Sequence, residues 1–153
     1  MEGLRKLQAH DEIPFQLLLL ADETVEAIEK YIYKCDVFVL KKDGLLIAVF
    51  ALLKVDEHEI EIKNIAVDNN LQGQGIGSLL LSNIKAITKE TFFKRIIVGT
   101  PDISHLQINF YEKNGFVKCG IRKNFFIENY KLPIIENGIL LKDMQMLEYL
   151  IEQ

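Results

Sequence analysis

Three glycines at alternate positions form the part of this sequence whose residue types are best suited to bind an anion. They are Gly73, Gly75 and Gly77, and a predicted amphipathic helix follows them directly. Because glycine has no Cβ atom, a ligand can closely approach the backbone N–H groups of such a loop. The N-terminus of the following helix adds partial positive charge. The spacing therefore predicts a binding site for a phosphate group.

Two common phosphate-binding motifs fit this loop poorly. A Walker-type loop needs a Lys-Ser or Lys-Thr pair after its last glycine, but Ser78 and Leu79 stand there. A dinucleotide-binding fingerprint needs G-x-G-x-x-G after the first strand of a parallel βαβ unit. Here position 78 is serine, and the preceding strands are predicted to form an antiparallel meander.

The loop must be positioned by the elements around it, and their patterns predict a mixed α/β fold. Alternating or β-branched apolar stretches predict strands, and apolar residues three or four positions apart predict helices. Strands are predicted at 3–7, 35–40, 45–55, 59–67, 95–99, 116–121 and 140–147, helices at 16–20, 23–33, 75–90 and from 102 or 104 to 114, and an irregular aromatic connection at 123–137.

Two local signals refine these elements. Asp22 is expected to cap the helix at 23–33, because an aspartate side chain accepts hydrogen bonds from the backbone N–H groups of a first helical turn. The strand at 59–67 leads into the glycine loop, and strict alternation predicts which of its residues share a face. One face is predicted to carry Ile60, Ile62, Asn64 and Ala66, and the other Glu61, Lys63, Ile65 and Val67.

Length and composition predict one domain that spans 1–153. The chain is 49% hydrophobic, and a chain of this length buries roughly 70% of its unfolded surface. No apolar run reaches the ~18 residues that a transmembrane helix needs, so we expect no membrane interaction and a cytoplasmic location. The net charge of −4 argues against nucleic acid as a partner and mildly favours a cationic small substrate.

No metal site is predicted from the cysteines and histidines. Cys35 and Cys119 form no C-x-x-C pair and are expected to be reduced. The histidines show no metal-ligand spacing with one another or with the cysteines. They are His10, His58 and His105.

Two motifs resemble those of the GNAT-type N-acetyltransferases. Gln72-x-x-Gly75-x-Gly77 resembles the Q/R-x-x-G-x-G/A loop that binds pyrophosphate in that family, and the FYEKNGF segment at 110–116 is similar to its F/L-Y-x-K-x-G-F segment. The two lie 34 residues apart, counted from Gly77 to Tyr111. The resemblance implies a single N-acetyltransferase domain, with helices flanking a mostly antiparallel sheet that is splayed at its centre.

The resemblance also implies acetyl-CoA as the co-substrate. In the family, backbone N–H groups of the glycine loop and the following helix dipole hold the pyrophosphate, and the pantetheine arm lies along a splayed strand. One backbone N–H near Ile65 or Ala66 would polarise the thioester carbonyl. Ser104 stands where many relatives have an asparagine that contacts the pantetheine. The implied cofactor-binding positions are Ile65, Ala66, Val67, Gln72, Gly73, Gln74, Gly75, Ile76, Gly77 and Ser104.

Two side chains are candidates for the proton transfers of acetyl transfer. The resemblance places Tyr111 beside the thioester sulfur, where a phenol with a pKa near ~10 can protonate the departing thiolate. Glu61, eleven residues before Gln72, matches the strand carboxylate that histone-acetylating members use as a general base, whereas other members use water chains. Taken alone, Tyr111 is also consistent with a packed core tyrosine. Glu61 is also consistent with a solvated carboxylate paired with Lys63 or with a cross-strand neighbour.

The segment 123–137 is expected to wall the acceptor site, because the corresponding connection does so in the fold that the chain resembles. Its aromatic and acidic residues are suited to bind an alkylammonium group or the amine of an amino acid. The alternative is that its aromatic residues only pack the loop against the core. The aromatic and acidic residues are Phe125, Phe126, Glu128, Tyr130 and Glu136. The expected reaction is transfer of the acetyl group to a primary amine of a small molecule. The alternatives are a protein or peptide N-acetyltransferase and a non-catalytic sensor that binds acyl-CoA.

Two further expectations concern residues outside these motifs. Arg122 and Lys123 are basic residues that can face the 3′-phosphate of coenzyme A, unless they only solvate the surface. Leu147, Leu150 and Ile151 are expected to be exposed, which would permit a homodimer.

Overall fold

The computed structural model describes residues 3–152, which form a seven-stranded sheet flanked by helices. The strands are β1 (Leu4–Lys6), β2 (Asp36–Lys42), β3 (Leu45–Lys54), β4 (Glu59–Val67), β5 (Arg95–Pro101), β6 (Val117–Arg122), β7 (Ile135–Glu136), β8 (Ile139–Leu140) and β9 (Met144–Leu150). The sheet has the order β1-β2-β3-β4-β5-β9-β6, and β7 and β8 form a separate two-stranded hairpin. Strands β4 and β5 are parallel, and the other neighbours are antiparallel. The predicted α/β fold with a mostly antiparallel sheet is therefore confirmed.

Helices cover both faces of the sheet. They are α1 (Phe15–Leu18), α2 (Val25–Glu29), α3 (Ile76–Lys89), α4 (His105–Lys113) and α5 (Phe125–Asn129). Leu18 of α1 and Ile28 of α2 are buried in one apolar cluster, and Leu80 of α3 and Ile108 of α4 are buried in the other. In α3, Leu80 and Ile84 lie four positions apart, so both face the sheet.

The cap predicted for α2 is wrong. Thr24 is the N-cap residue, and its hydroxyl accepts a hydrogen bond from the backbone N–H of Ala27 at 3.1 Å. The carboxylate of Asp22 instead accepts a hydrogen bond from the Tyr31 hydroxyl at 2.8 Å. Tertiary contact therefore overrides the local capping preference of Asp22. The helix predicted at 23–33 is also shorter, and a 3₁₀ turn at Ile32–Lys34 follows it.

A β-bulge in β4 overturns the strict alternation predicted for that strand. Adjacent residues of β3 pair with Ile62 and with Asn64, so Lys63 is an extra residue in the ladder. An extra residue reverses the direction of every side chain that follows it. Ile62 accordingly packs under α3 and α4, whereas Ala66 belongs to the cluster under α1 and α2. The predicted face of Ile60, Ile62, Asn64 and Ala66 is therefore divided between the two sides of the sheet.

The sheet opens between β4 and β5. Their parallel pairing runs from Glu59, opposite Arg95, to Ile62, opposite Val98, and stops there. Both strands continue, β4 to Val67 and β5 to Pro101, without pairing to each other. The diverging edges leave backbone N–H and C=O groups available to a ligand. This opening is the splay that the resemblance implied.

The C-terminal third differs most from the expected elements. The segment 123–137, predicted to be irregular, contains α5 and part of the β7–β8 hairpin. The last strand begins at Met144 and lies between β5 and β6. Because β9 is an interior strand, Leu147 and Ile151 are only 0% and 8% exposed, against our expectation. Leu150 is 65% exposed, as expected.

Candidate active site

A cavity of about 820 Å³ lies at the splay between β4 and β5. Both catalytic candidates and nine of the ten predicted cofactor-binding residues line it. Gln74 is the exception, because it is not among the lining residues. The predicted residues that do line the cavity are Glu61, Ile65, Ala66, Val67, Gln72, Gly73, Gly75, Ile76, Gly77, Ser104 and Tyr111.

The three loop glycines serve two different structural needs. Gly73 and Gly75 have φ angles of 79° and 83°, in the left-handed region that disfavours side chains, and no atom lies within 4 Å of a Cβ built there. A Cβ on Gly77 would lie 3.0 Å from the Cζ atom of Phe110. Gly77 therefore lets α3 pack closely against α4, in addition to leaving the loop open.

The N-terminus of α3 faces the cavity without a side-chain cap. Gly75 is the N-cap residue, and Ile76 and Gly77 of the first turn line the cavity. The helix has 14 residues, so its dipole and its first N–H groups favour an anion there. The amide of Gln72 donates hydrogen bonds to the Val67 carbonyl at 3.2 Å and to Asn69 Oδ1 at 3.0 Å. It thereby ties the loop to the end of β4.

Tyr111 presents a protonated phenol at the cavity. It lies in α4, it is 6% exposed, and its ring packs against those of Phe110 and Phe116, with centroid distances of 5.2 Å and 5.7 Å. Burial raises the pKa of Tyr111. Within residues 3–152, no group hydrogen-bonds to its hydroxyl. The hydroxyl is therefore a donor available to a ligand.

Helices α3 and α4 are also joined next to the cavity by a contact that the sequence did not reveal. The side-chain amide of Asn114 donates a hydrogen bond to Ser78 Oγ at 3.2 Å and another to the Phe110 carbonyl at 2.8 Å. Ser104, the N-cap residue of α4, makes no side-chain capping bond and lines the cavity.

Glu61 is buried and paired, not solvated. It is 6% exposed. Its oxygens lie 3.3 Å and 3.4 Å from the two terminal guanidinium nitrogens of Arg122, and 3.6 Å from Lys63 Nζ. The expected pairing with Lys63 is present. Arg122 lies at the end of β6 and contacts Glu61, and Lys123 pairs with Asp143 at 3.7 Å. Neither basic residue lines the cavity, and their contact with the 3′-phosphate stays a prediction.

A polar network at the cavity was not predicted from the sequence. Asn64 Nδ2 donates to the Leu18 carbonyl at 3.0 Å and to the Tyr31 hydroxyl at 3.1 Å. The Tyr31 hydroxyl donates to Asp22 at 2.8 Å, and the Tyr130 hydroxyl donates to the other oxygen of Asp22 at 2.6 Å. Burial raises the pKa of both tyrosines, and their contact with Asp22 adds to the effect. Because Tyr130 is 108 residues from Asp22, no local pattern indicates this network.

The segment 123–137 forms one wall of the cavity, and the binding of an acceptor there stays a prediction. Phe125, Phe126, Tyr130 and Glu136 line it, whereas Glu128 is exposed and does not. The rings of Phe126 and Tyr130 stack with a centroid distance of 5.9 Å. The segment is tied to the opposite wall, because Lys30 Nζ donates to the Asn129 carbonyl at 2.9 Å.

The described part of the chain lacks two kinds of feature. Residues 3–152 contain no group of three or more His, Cys, Asp and Glu side chains able to hold a metal ion. No helix in the same range is long and apolar enough to cross a membrane.

Comparison with known proteins agrees with the geometry. A family model described as an acetyltransferase (GNAT) domain matches residues 33–118. An uncharacterized N-acetyltransferase of Bacillus subtilis, YvbK, is 34% identical over 137 residues, which cover 90% of this chain and 88% of that protein. The chain belongs to the GNAT acetyltransferase family. The prediction from the two motifs is therefore confirmed.

Two solved structures that are similar to this GNAT acetyltransferase contain acetyl-CoA or CoA. A GNAT family acetyltransferase from Elizabethkingia anophelis, solved with acetyl-CoA bound, superposes with a TM-score of 0.92 and 39% identity, covering 97% of each chain. A Bacillus subtilis acetyltransferase in complex with CoA superposes with a TM-score of 0.87 and 30% identity, covering 97% of this chain and 98% of that one. The protein is an acetyl-CoA-dependent N-acetyltransferase.

Proposed function

We propose that this acetyltransferase moves the acetyl group of acetyl-CoA directly to a primary amine of a small molecule. The observation that carries the proposal is that two contacts bridge the cavity at its acceptor end. There, Tyr130 of the segment 123–137 bonds to Asp22 of the opposite wall, and Lys30 bonds to the Asn129 carbonyl. A cavity whose end is bridged in this way suits a small ligand, whereas a protein acceptor needs an open groove.

The splay and the glycine loop supply the acetyl-CoA site in this proposal. The pantetheine lies along the unpaired edge of β4 and bonds to main-chain groups of Ile65, Ala66 and Val67. The pyrophosphate lies against the backbone N–H groups of the loop at 72–77 and the uncapped N-terminus of α3. Two observations support this placement, namely that β4 and β5 stop pairing at Ile62 and that α3 has no side-chain cap.

The proposed reaction is a direct attack without an acetyl-enzyme. A neutral amine attacks the thioester carbonyl, and a backbone N–H near Ile65 or Ala66 stabilises the oxyanion. The carbon–sulfur bond then breaks, and Tyr111 donates its proton to the departing thiolate. Glu61 accepts the proton that the amine loses, directly or through water. The hydroxyl of the buried Tyr111 side chain, which is unpaired within residues 3–152, and the position of Glu61 on the same cavity support these roles.

A panel of acceptors tests the proposal. Free thiol release from acetyl-CoA is followed with small primary amines and, separately, with peptides that carry a free N-terminus or a lysine. We expect turnover with small amines, and a mass increase of one acetyl group in the amine product. Turnover with peptides alone would establish a protein acceptor, and tight acetyl-CoA binding with no turnover on either class would establish a sensor.

A further inference from the structure

Three carboxylates lie at the acceptor end of the cavity without a cationic partner. Asp22, Glu23 and Glu136 all line the cavity. Among residues 3–152, no Lys, Arg or His side chain forms an ion pair with any of the three. Asp22 is held by the neutral hydroxyls of Tyr31 and Tyr130. Partial burial, together with the nearby charges of Glu136 and Asp22, raises the pKa of Glu23.

The basic residues on the same wall are engaged elsewhere. Lys30 lines the cavity, but its ammonium donates to the Asn129 carbonyl at 2.9 Å. Lys63 also lines the cavity and pairs with Glu61 at 3.6 Å. Even with the positive charge of Lys30 counted, the three carboxylates leave an excess of negative charge at this end of the cavity for a ligand to balance.

A buried amide oxygen on the same cavity has no hydrogen-bond donor. Asn64 is 4% exposed and lines the cavity, and its Oδ1 is the one buried side-chain oxygen or nitrogen in residues 3–152 that has no partner. Its Nδ2 bonds to the Leu18 carbonyl, which can only accept, so the orientation of the amide is determined. A buried acceptor without a donor is costly unless a ligand supplies an N–H or O–H group.

We propose that the acceptor carries two basic nitrogen groups, one that reacts and a second that the carboxylates of Asp22, Glu23 and Glu136 hold as a cation. The reacting nitrogen must be neutral to attack the thioester, whereas a nitrogen among carboxylates keeps its proton. One group cannot meet both requirements, so the cation is a second nitrogen on the same molecule. The oxygen of Asn64 accepts a hydrogen bond from an N–H group of this acceptor. The acceptor class is an alkyl diamine or polyamine.

This inference rests on the proposed function and is tested with chain-length-matched acceptors. The kcat/KM of butylamine is compared with that of 1,4-diaminobutane, and the kcat/KM of hexylamine with that of 1,6-diaminohexane. A diamine has two reactive ends, so statistics alone give it a factor of about two. In at least one of the two pairs, we expect the kcat/KM of the diamine to exceed that of the monoamine by about tenfold or more. An effect of this size is expected when a bound cation gains a charged partner.

The carboxylates are tested by the double variant Glu23→Gln with Glu136→Gln, which preserves side-chain shape. We expect it to raise the KM of the diamine about tenfold, to change kcat little and to reduce the diamine preference to about two. Glu128→Gln is the matched control, since Glu128 lies in the same segment but does not line the cavity. We expect this control to keep the diamine preference. Acetyl-CoA binding by each variant verifies that it is folded.

The outcomes separate the inference from the function on which it rests. If small amines are acetylated but diamines show no preference beyond the statistical factor, the second-cation inference is wrong and the proposed function stands. The same conclusion follows if the double variant keeps the full preference. If no small amine of either kind is acetylated, the proposed function itself is wrong.

Discussion

Tyr111 is the residue at which the proposed chemistry is most directly tested. Tyr111→Phe removes one hydroxyl that makes no hydrogen bond within residues 3–152, so the fold should be unaffected. We expect kcat to fall by about 10- to 1,000-fold, in the range that loss of a general acid gives. The dissociation constant of acetyl-CoA should change little, which calorimetry can check. An unchanged kcat would remove Tyr111 from the mechanism.

Glu61 is tested by the pH dependence of the rate. Glu61→Gln keeps the size of the side chain but cannot accept a proton. We expect a fall in kcat that is largest at low pH, because the fraction of neutral amine is smallest there and proton removal is most demanding. Lys63→Gln is the matched control, since it removes one ion-pair partner of Glu61 and leaves the carboxylate. Equal pH profiles for wild type and Glu61→Gln would assign proton removal to water.

At the residue scale, the sequence predicted which residues line the cavity better than it predicted which side chains contact one another. Glu61, Tyr111 and nine of the ten predicted cofactor-binding residues line the cavity. Most of them could be identified because a motif of fixed spacing is a local property of the sequence. The second partner of Glu61, Arg122, was missed, because it is 61 residues away and no pattern connects the two. Asp22 and Tyr130 were missed as a pair for the same reason.

At the scale of elements, the contact between α3 and α4 depends on a missing side chain. Gly77→Ala places a Cβ about 3.0 Å from the ring of Phe110, which must then move. We expect a net loss of up to about 2 kcal/mol in the free energy of unfolding, measured by urea denaturation, because an overpacked contact costs roughly 1–3 kcal/mol and the better helix propensity of alanine offsets about 1 kcal/mol. In a Phe110→Leu background the loss should be smaller, since the atoms that clash are gone.

Gly73→Ala is the matched control for the double-mutant cycle formed by Gly77→Ala and Phe110→Leu. Its Cβ meets no atom within 4 Å, but its φ angle of 79° disfavours alanine by roughly 1–2 kcal/mol. This cost is a backbone property, so we expect it to be the same with Phe or Leu at position 110. Equal losses for Gly77→Ala in the two backgrounds would contradict the packing role of Gly77.

The β-bulge shows why the periodicity of apolar residues predicts the bounds of a strand more reliably than it predicts which residues share a face. The strand at 59–67 was predicted with the bounds that β4 has, because its apolar alternation is a local signal. The extra residue at Lys63 depends on pairing with β3, which no single segment encodes. It brings Asn64 into contact with Leu18 and Tyr31, so the part of β4 whose faces were predicted wrongly lines the cavity.

At the scale of the whole molecule, the buried tyrosines predict how stability depends on pH. The pKa values of Tyr31, Tyr111 and Tyr130 are all raised, first by burial. In the unfolded chain these groups ionise near ~10, while in the folded chain they keep their protons to higher pH. The folded state then binds more protons than the unfolded state, so stability is fully present below pH ~10 and falls as pH rises above it.

Denaturation between pH 8 and about 11 measures this dependence. We expect the free energy of unfolding to fall more steeply with pH above about 10 in the wild type than in Tyr111→Phe, because that variant lacks one of the three groups. Identical slopes would show that the ionisation of Tyr111 is not linked to folding.

The order of the strands in the sheet is the feature of the molecule that the sequence predicted least well. The meander from β2 to β4 was predicted from a tight turn and adjacent apolar runs. The insertion of β9 between β5 and β6 pairs segments that are far apart in sequence, and it buries Leu147, which we expected at the surface. Elements that contact sequence neighbours are thus predictable, and those positioned by distant pairing are not.

The central claim is that the splay between β4 and β5 holds the thioester beside Tyr111. A crystal structure of this protein with coenzyme A tests it most directly. We expect the pantetheine along residues 65–67, the pyrophosphate at the loop 72–77, and the thiol sulfur within about 3.5 Å of the Tyr111 hydroxyl, the reach of a hydrogen bond to a departing group. A thiol that lies out of reach of Tyr111, or a pantetheine outside the splay, would contradict the account.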